Sequence, residues 1–420
     1  MKLKIKLILL FLFIITAFSG CNKLSDNDII RLPSPDPGAS VTEAPTTGAP
    51  LPTLIPTPTP TETAIPTPDS SVPSPSPKGE PVVTDNTEKA RELLKDMSIE
   101  EKVGQMFFAR CIKAQALADI DTYQPGGYIL FGADFQDQSK KEIKTTISGY
   151  QKEASIPMLI GVDEEGGTVN RISKYPAFRS VPFPSPQDLY QKGGFDLIIS
   201  DTREKAELLK ELGINVNLAP VCDVSTNPED FIYRRSFGKA ADKTAEYVKT
   251  VVTEMNRDRI GSTLKHFPGY GNNVDTHTGI AIDERSYESF VKKDFLPFQA
   301  GIEAGAGSIL VSHNIVTSMD PDYPASLSGK VHTVLREELG FQGVIMTDDL
   351  SMDAIKEYTN DKEAAVLAIM AGNDLLIATD YNIQIPAVLA AVENGSITEN
   401  RIDESVTRIL KWKLDLGIMQ

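Results

Sequence analysis

The fold of this chain is constrained most by eight short apolar runs that recur between residues 105 and 378, separated by amphipathic helical stretches. The runs do not alternate between apolar and polar residues, as expected for strands buried on both faces of a parallel sheet. The predicted strands are Gln105–Ala109, Gly127–Phe131, Met158–Asp163, Asn215–Pro220, Ser262–His266, Ser308–His313, Gly343–Thr347 and Asp374–Ala378. The predicted helices include Asp242–Arg257, Glu288–Ala304, Asp361–Ala371 and Thr398–Leu414. This alternation predicts a single-domain α/β fold, a (β/α)8 TIM barrel, with a doubly wound open sheet as the alternative.

Most of the predicted strands end in or near polar or charged residues. In a barrel, the loops that follow the strands form the active-site face, so these side chains are expected to converge there. The clusters are Asp163, Asp223, Lys265-His266, Ser312-His313-Asn314 and Asp348-Asp349.

The first 20 residues have the pattern of a bacterial lipoprotein signal peptide. Lysines precede an apolar run from Leu7 to Phe18, which is too short to span a bilayer as a stable helix. Ser19 and Gly20 then stand before Cys21, although Phe18 occupies a position where such sites usually have leucine. We therefore expect Cys21 to be lipidated and the protein to be extracytoplasmic, anchored to the cell membrane. An ordinary signal peptide or an uncleaved anchor is the alternative.

Residues 21–86 have a composition typical of a disordered linker. They are rich in Pro, Thr and Ser, as in the run Thr57-Pro58-Thr59-Pro60, and cannot bury much apolar surface. We interpret the segment as a spacer that carries the folded domain, residues 87–420, through a cell wall. A role as a proline-rich recognition ligand is the alternative.

Charge and cysteine content exclude several classes of function. The formal net charge of −16 disfavours nucleic-acid partners, and no glycine-rich phosphate or dinucleotide loop follows any predicted strand. Cys21, Cys111 and Cys222 have no zinc-like spacing, so we expect neither a metal nor an organic cofactor. Cys111 and Cys222 are interpreted as buried thiols, with a disulfide between them as the alternative.

Acidic residues at two strand ends are the first catalytic candidates. The strand Gly343–Thr347 runs directly into Asp348, whose fixed position and direction suit a nucleophile. The adjacent Asp349 is interpreted as a structural residue that caps the following helix. Asp163 ends another strand and is predicted to belong to the site, although a turn carrying solvated acids is the alternative. That alternative carries more weight for Glu164 and Glu165 than for Asp163.

A basic strand end and a following loop supply further candidates. Lys265 and His266 end one strand, and Arg235 is predicted to hold a substrate oxygen or to pair with an acid. Asp275 and His277 are separated by one residue, so an extended loop points both side chains the same way, and the carboxylate would raise the imidazole pKa. An anionic nucleophile with a proton-transferring group indicates cleavage of an acetal, as in retaining glycosidases.

Taken together, these motifs resemble glycoside hydrolase family 3, and specifically its β-N-acetylglucosaminidase branch. The resemblance runs from about residue 87 to residue 420. Tyr270 and Thr168 depart from the pattern of the family, at positions outside the chemical roles. The matching motifs are Asp163-Glu164-Glu165-Gly166-Gly167, Arg235-Ser236-Phe237-Gly238, Lys265-His266-Phe267-Pro268-Gly269, Asp275-Thr276-His277 and Thr347-Asp348-Asp349-Leu350-Ser351-Met352.

The resemblance implies a mechanism and a substrate. Asp348 would be the nucleophile, and His277 assisted by Asp275 the general acid/base of a retaining exo-β-N-acetylglucosaminidase acting on peptidoglycan fragments. The hydroxyls of the terminal sugar would be bound by Asp163, Arg235, Lys265 and His266. We expect a monomer with a carbohydrate substrate and no cofactor. A β-glucosidase, a β-xylosidase or a glycoside phosphorylase of the same family is one alternative, and an inactive sugar-binding lipoprotein is another.

Overall fold

The computed structural model describes residues 86–273, 279–356, 358–359 and 361–420. The predicted signal peptide, Cys21, the proline-rich segment and the pair Asp275 and His277 lie outside the described residues. Within the described part of the chain, no helix has the length and hydropathy that crossing a membrane requires.

Eight parallel strands form the central sheet, in the order β11-β9-β7-β6-β3-β2-β1-β12. A parallel bridge between Met346 and Leu375 joins the two end strands of this order, which brings the sheet close to a closed barrel. The predicted TIM barrel is therefore confirmed, and the doubly wound open sheet is wrong. The strands are β1 Phe107–Arg110, β2 Gly127–Leu130, β3 Leu159–Val162, β6 Val216–Asn217, β7 Gly261–Phe267, β9 Ser308–Val311, β11 Val344–Thr347 and β12 Leu376–Ala378.

Two short strand pairs lie in the loops that follow the barrel strands. One is antiparallel, between β4 Glu164–Gly166 and β5 Val169–Asn170. The other is parallel, between β8 Ile282–Asp283 and β10 Ile315–Val316. Both pairs follow barrel strands at the face where the polar clusters were predicted to meet.

Helices surround the barrel and pack on the outer faces of its strands. The helix Ile99–Gln105 begins at a capping box of Ser98 and Glu101, in which each side chain accepts a hydrogen bond from the backbone N–H of the other residue. The helices are α1 Asn86–Leu94, α2 Ile99–Gln105, α3 Ala116–Tyr123, α4 Gly132–Phe135, α5 Lys140–Glu153, α6 Pro186–Leu212, α7 Ala241–Arg257, α8 Tyr287–Ser289, α9 Phe295–Glu303, α10 Gly329–Thr333, α11 Asp353–Lys356, α12 Asp361–Ala371, α13 Tyr381–Glu393 and α14 Glu399–Asp415.

The helix predicted over Glu288–Ala304 is interrupted by a wider π turn at Phe290–Asp294. Pro297 lies one turn later and has no N–H to donate to the carbonyl of residue 293, which loosens the helix at that point. The side chain of Asp294 in this turn is buried.

The core lies between the strands and the surrounding helices, and it is built mainly from Val, Ile, Leu and Phe side chains. Phe267 at the end of β7 stacks on Phe295 and meets Phe298 edge-on, which fixes this strand end against α9. Cys111 and Cys222 are both free and buried, as predicted, and no disulfide joins them.

Candidate active site

Asp348 stands at the tip of β11, directly after four fully buried residues. Its backbone N–H donates to the carbonyl of Val311 in the neighbouring strand at 3.1 Å, so the start of the loop is held by the sheet. Its Oδ1 atom accepts from the N–H of Asp349 at 2.9 Å. The half-buried side chain lines a cavity of about 410 Å³, which is also lined by the predicted sugar-binding residues Asp163, Arg235, Lys265 and His266.

Asp349 faces a different set of partners from Asp348. Its Oδ2 atom accepts from the Thr379 hydroxyl at 2.7 Å, and its Oδ1 atom accepts from the N–H of Ser351 at 2.9 Å. These contacts agree with a structural role. The sequence predicted that Asp349 caps the following helix. The helix α11 begins only at Asp353, however, so Asp349 caps the turn that precedes it instead.

Lys265 is the centre of a buried ion cluster. Its ammonium group lies 2.6 Å from Asp163 Oδ1 and 2.7 Å from Glu165 Oε1, and its side chain is only 2% exposed. Burial alone would lower the pKa of Lys265, but the two carboxylates outweigh that effect and raise it. Lys265 is therefore a fixed positive charge at the floor of the cavity.

Arg235 is fixed by the same buried carboxylate. Its Nη2 and Nε atoms donate to the two oxygens of Glu165 at 2.7 and 3.1 Å, a bidentate geometry that sets the plane of the guanidinium. Burial would raise the pKa of Glu165, but the charges of Arg235 and Lys265 hold it well below its usual range. Glu165 thus places both cations of the site.

His266 lies between an acid and a guanidinium. Its Nδ1 atom is 2.8 Å from Asp223 Oδ2, and its Nε2 atom is 3.2 Å from Arg235 Nη2. Since a carboxylate can only accept there, Nδ1 carries the proton and Nε2 presents its lone pair to the arginine. The backbone N–H groups of His266 and Tyr270 also donate to Asp223, at 3.1 and 2.8 Å.

The alternative that Glu164 and Glu165 are solvated acids is wrong, because they are 0% and 5% exposed. Glu164 accepts hydrogen bonds from the backbone N–H groups of residues 171, 172 and 173 and from the hydroxyl of Ser173, which holds the chain that follows β5 against β4. Asp223 was noted only as a strand-end residue and not as part of the site. One feature of the sequence could have placed Asp223 in the site. Like Asp163 and Asp348, it lies at the end of a predicted strand or shortly after one, at the same edge of the barrel.

Two further arginines line the cavity. The Arg110 guanidinium lies 4.2 Å from the centroid of the Phe131 ring, and that of Arg171 lies 5.9 Å from the same centroid. Arg171 Nη2 is 3.9 Å from Asp163 Oδ2. These residues add an aromatic ring and positive charge to the lining of the cavity.

The described residues also bear on metal binding. Across the ranges given above, no group of three or more His, Cys, Asp or Glu side chains has an arrangement that could hold a metal ion.

The chain is similar in sequence to known glycoside hydrolases. The model of the glycosyl hydrolase family 3 N terminal domain matches residues 98–412. A "Beta-hexosaminidase" of Nitrosomonas eutropha is 34% identical over 263 residues, which cover 61% of this chain and 74% of that protein.

Two solved structures are similar in fold. A glycoside hydrolase family 3 beta-N-acetylglucosaminidase from Paenibacillus superposes with a TM-score of 0.73 at 30% identity, over 77% of this chain and 63% of that one. This chain thus spans less than two thirds of the Paenibacillus enzyme. A beta-N-acetylhexosaminidase from Beutenbergia cavernae superposes with a TM-score of 0.66 at 27% identity, over 75% and 98%. The predicted family and its β-N-acetylglucosaminidase branch are confirmed: this chain belongs to glycosyl hydrolase family 3 and is a glycoside hydrolase.

Proposed function

We propose that the protein is a retaining exo-β-N-acetylglucosaminidase, which removes terminal non-reducing N-acetylglucosamine from peptidoglycan fragments. The observation that carries the proposal is the placement of Asp348 in one cavity with Asp163, Lys265 and His266. A carboxylate held at a strand tip faces polar groups suited to the hydroxyls of one sugar ring. The names of the relatives support the choice of N-acetylhexosaminides.

In the first step, an oxygen of Asp348 attacks the anomeric carbon, and the bond to the leaving group breaks. In the second step, water displaces Asp348 and releases the sugar with its original configuration. The surrounding cations assist by holding the ring in place while positive charge develops at the anomeric carbon. Lys265 and Arg235 are suited to this because Glu165 fixes both of them.

The proton for the leaving group is assigned to His277, with Asp275 as its orienting partner. Both lie outside the described residues, and the assignment rests on the Asp-x-His motif of the resemblance. An imidazole with a pKa near neutrality can donate a proton in the first step and accept one from water in the second.

A peptidoglycan leaving group is supported by the positive charge of two arginines that line the cavity. N-acetylmuramic acid, the neighbour of N-acetylglucosamine in peptidoglycan, carries a carboxylate on its lactyl group. Arg110 and Arg171 bring positive charge to the cavity in a chain whose net charge is −16. We further propose that Cys21 is lipidated and that the enzyme works outside the cytoplasm.

The proposed activity can be tested by assaying the wild type, Asp348→Ala and Asp353→Asn on the nitrophenyl N-acetylglucosaminide, glucoside and xyloside. The wild type is expected to release nitrophenol from the N-acetylglucosaminide faster than from the glucoside or the xyloside, and without need for phosphate. Asp348→Ala should lose at least about 10³-fold in kcat, because the covalent step has no substitute. Asp353→Asn, an exposed aspartate that lines the same cavity, is the matched control and should stay near wild type.

The same assay separates the alternatives. A preference for the glucoside or the xyloside would identify the enzyme as a β-glucosidase or a β-xylosidase of the same family. Formation of a sugar phosphate in phosphate buffer would identify a phosphorylase. Wild-type turnover by Asp348→Ala would refute the mechanism. Absence of any turnover by the wild type would support the inactive sugar-binding lipoprotein.

A further inference from the structure

The polar cluster Ser312-His313-Asn314 lies at the active-site face of the barrel, but none of its members is among the proposed sugar-binding residues. The cluster directly follows β9, which pairs in parallel with β11, so it lies beside the turn that carries Asp348. His313 is fully buried, with 0% of its surface exposed. A buried imidazole needs hydrogen-bond partners for its ring nitrogens, and those partners fix the direction in which the ring points.

His313 joins two backbone segments through its ring. Its Nε2 atom lies 3.0 Å from the carbonyl oxygen of Asp349, and its Nδ1 atom lies 2.8 Å from the hydroxyl of Ser326. Since a carbonyl oxygen can only accept, Nε2 carries a proton and donates a hydrogen bond to Asp349. In the neutral ring, Nδ1 then accepts from the Ser326 hydroxyl.

Ser326 gives the ring a rigid support. Its N–H donates to the carbonyl of Ser312 at 3.0 Å, and its carbonyl accepts from Asn373 Nδ2 at 2.7 Å. The Ser312 hydroxyl in turn donates to the carbonyl of Phe267, the last residue of β7, at 3.0 Å. Ser312, Ser326 and Asn373 are all 0% exposed. The imidazole is therefore held by a buried network that connects the ends of β7 and β9 with the segment before β12.

Asp349 passes this support on to the proposed nucleophile. Its carbonyl is held by His313, and its carboxylate is held by the Thr379 hydroxyl and the N–H of Ser351. Its own N–H donates to Asp348 Oδ1 at 2.9 Å. Because Asp349 is held at its carbonyl and at its side chain, its N–H points in a fixed direction. The orientation of the Asp348 carboxylate therefore depends on the placement of Asp349.

The barrel sheet fixes the backbone of Asp348 but leaves the side chain to other contacts. The N–H of Asp348 donates to the carbonyl of Val311, yet the side chain can still rotate about its Cα–Cβ bond between staggered positions. The hydrogen bond from Asp349 selects one of these positions. The choice matters for the reaction, because a misplacement of about 1 Å in a reacting group can cost about 100-fold in rate.

We propose that His313 is a positioning residue for the nucleophile. By donating from Nε2 to the Asp349 carbonyl, it holds the peptide N–H that orients the Asp348 carboxylate for attack on the anomeric carbon. The inference rests on the proposed function, because it takes Asp348 as the nucleophile. His313 acts through Asp349, and no contact with the sugar is assigned to it.

Two substitutions of His313 separate its hydrogen bond to Asp349 from the packing of its ring. Both remove the imidazole and keep one amide group. In His313→Gln the amide N–H can reach the Asp349 carbonyl in place of Nε2. In His313→Asn the shorter side chain can replace only Nδ1, where its oxygen accepts from Ser326. His313→Asn therefore loses the contact that matters, and His313→Gln is the matched control.

Labelling of Asp348 by a fluorinated N-acetylglucosaminyl fluoride measures the attack directly. An oxygen of Asp348 bonds to the anomeric carbon, and the carbon–fluorine bond breaks to release fluoride. We expect the labelling rate at saturation to fall about 100-fold in His313→Asn and less than about 10-fold in His313→Gln. The final labelled fraction and the inhibition constant of free N-acetylglucosamine should stay close to those of the wild type. A purely structural loss would instead lower the labelled fraction without slowing the rate.

Several results would overturn the positioning role. Equal labelling rates for His313→Asn and His313→Gln would do so, as would a lower labelled fraction that forms at the wild-type rate. A rise in the inhibition constant that accounts for the lost rate would assign the effect to sugar binding and would also overturn it. If the wild type carries no label on Asp348, the proposed function itself fails, so the two failures remain distinct.

Ser326→Ala covers the case in which His313→Asn shows no cooperative thermal transition. It keeps the imidazole but removes the hydroxyl that holds Nδ1, so the ring is no longer fixed toward Asp349. A labelling rate about 5-fold or more below that of the wild type, the equivalent of one ordinary hydrogen bond, supports the proposal if the inhibition constant is unchanged. A wild-type rate overturns it.

Discussion

Lys413 is a buried lysine outside the proposed active site, and its burial lowers the stability of the folded state. It lies in α14, is 0% exposed, and donates to Gln105 Oε1 at 2.6 Å. Burial lowers the pKa of Lys413 from 10.5 to about 7. Each tenfold change in proton affinity corresponds to about 1.4 kcal/mol, so this burial costs the folded state about 5 kcal/mol while the unfolded lysine is charged.

The sign of the pH dependence follows from the direction of the shift. The pKa is lowered in the folded state, so between about pH 7 and pH 10.5 the unfolded chain binds more protons than the folded one. The free energy of unfolding contributed by this group therefore rises with pH through that window, and the full penalty remains below about pH 7.

Lys413→Met should remove the penalty. We expect the free energy of unfolding at pH 7 to increase by about 2–4 kcal/mol, since the lost hydrogen bond to Gln105 offsets about 1–3 kcal/mol. Urea unfolding at several pH values between 6 and 9.5 measures this, and the gain should shrink as the pH rises. Lys411→Met, two residues away in an exposed pair with Asp415, should change stability by less than about 1 kcal/mol at every pH. A destabilised Lys413→Met, or a gain independent of pH, would show that burial of the Lys413 charge does not destabilise the folded state.

Further predictions concern the cavity. Glu165→Gln leaves Arg235 and Lys265 without their shared carboxylate, so we expect KM for the aryl N-acetylglucosaminide to rise about 10-fold or more and stability to fall by about 3–5 kcal/mol, measured by steady-state kinetics and urea unfolding. Near wild-type values for both quantities would contradict the role given to Glu165. Arg110→Met should lower kcat/KM about 10-fold more for a muramic acid leaving group than for a neutral sugar, because about 1–2 kcal/mol of charge-assisted hydrogen bonding is lost. An equal change for both leaving groups would show that Arg110 does not bind the carboxylate of the muramic acid.

The sequence predicted the barrel well because buried parallel strands are nearly continuous apolar runs with marked ends. All eight predicted strands contain an observed strand or overlap one, as Met158–Asp163 contains Leu159–Val162. The interrupted helix at Phe290–Asp294 was missed, since its cause combines Pro297 with a burial of Asp294 that only the tertiary structure reveals.

The site was predictable only in part, because strand ends mark which residues face the cavity but not how they pair. The positions of Asp163, Lys265 and His266 at strand ends predicted that they would lie close together, and they do line one cavity. The place of Glu165 was not predicted, since its burial depends on Arg235, which lies 70 residues away in the chain. Pairings over such distances leave no local pattern in one sequence.

The proposed mechanism requires Asp348 to become covalently attached to the sugar. Incubation with a fluorinated N-acetylglucosaminyl fluoride, which forms the intermediate quickly and releases it slowly, allows peptide mapping by mass spectrometry. We expect one added sugar mass on the peptide that contains Asp348, and none in Asp348→Ala. A label on any other residue, or the same label in the variant, would contradict it.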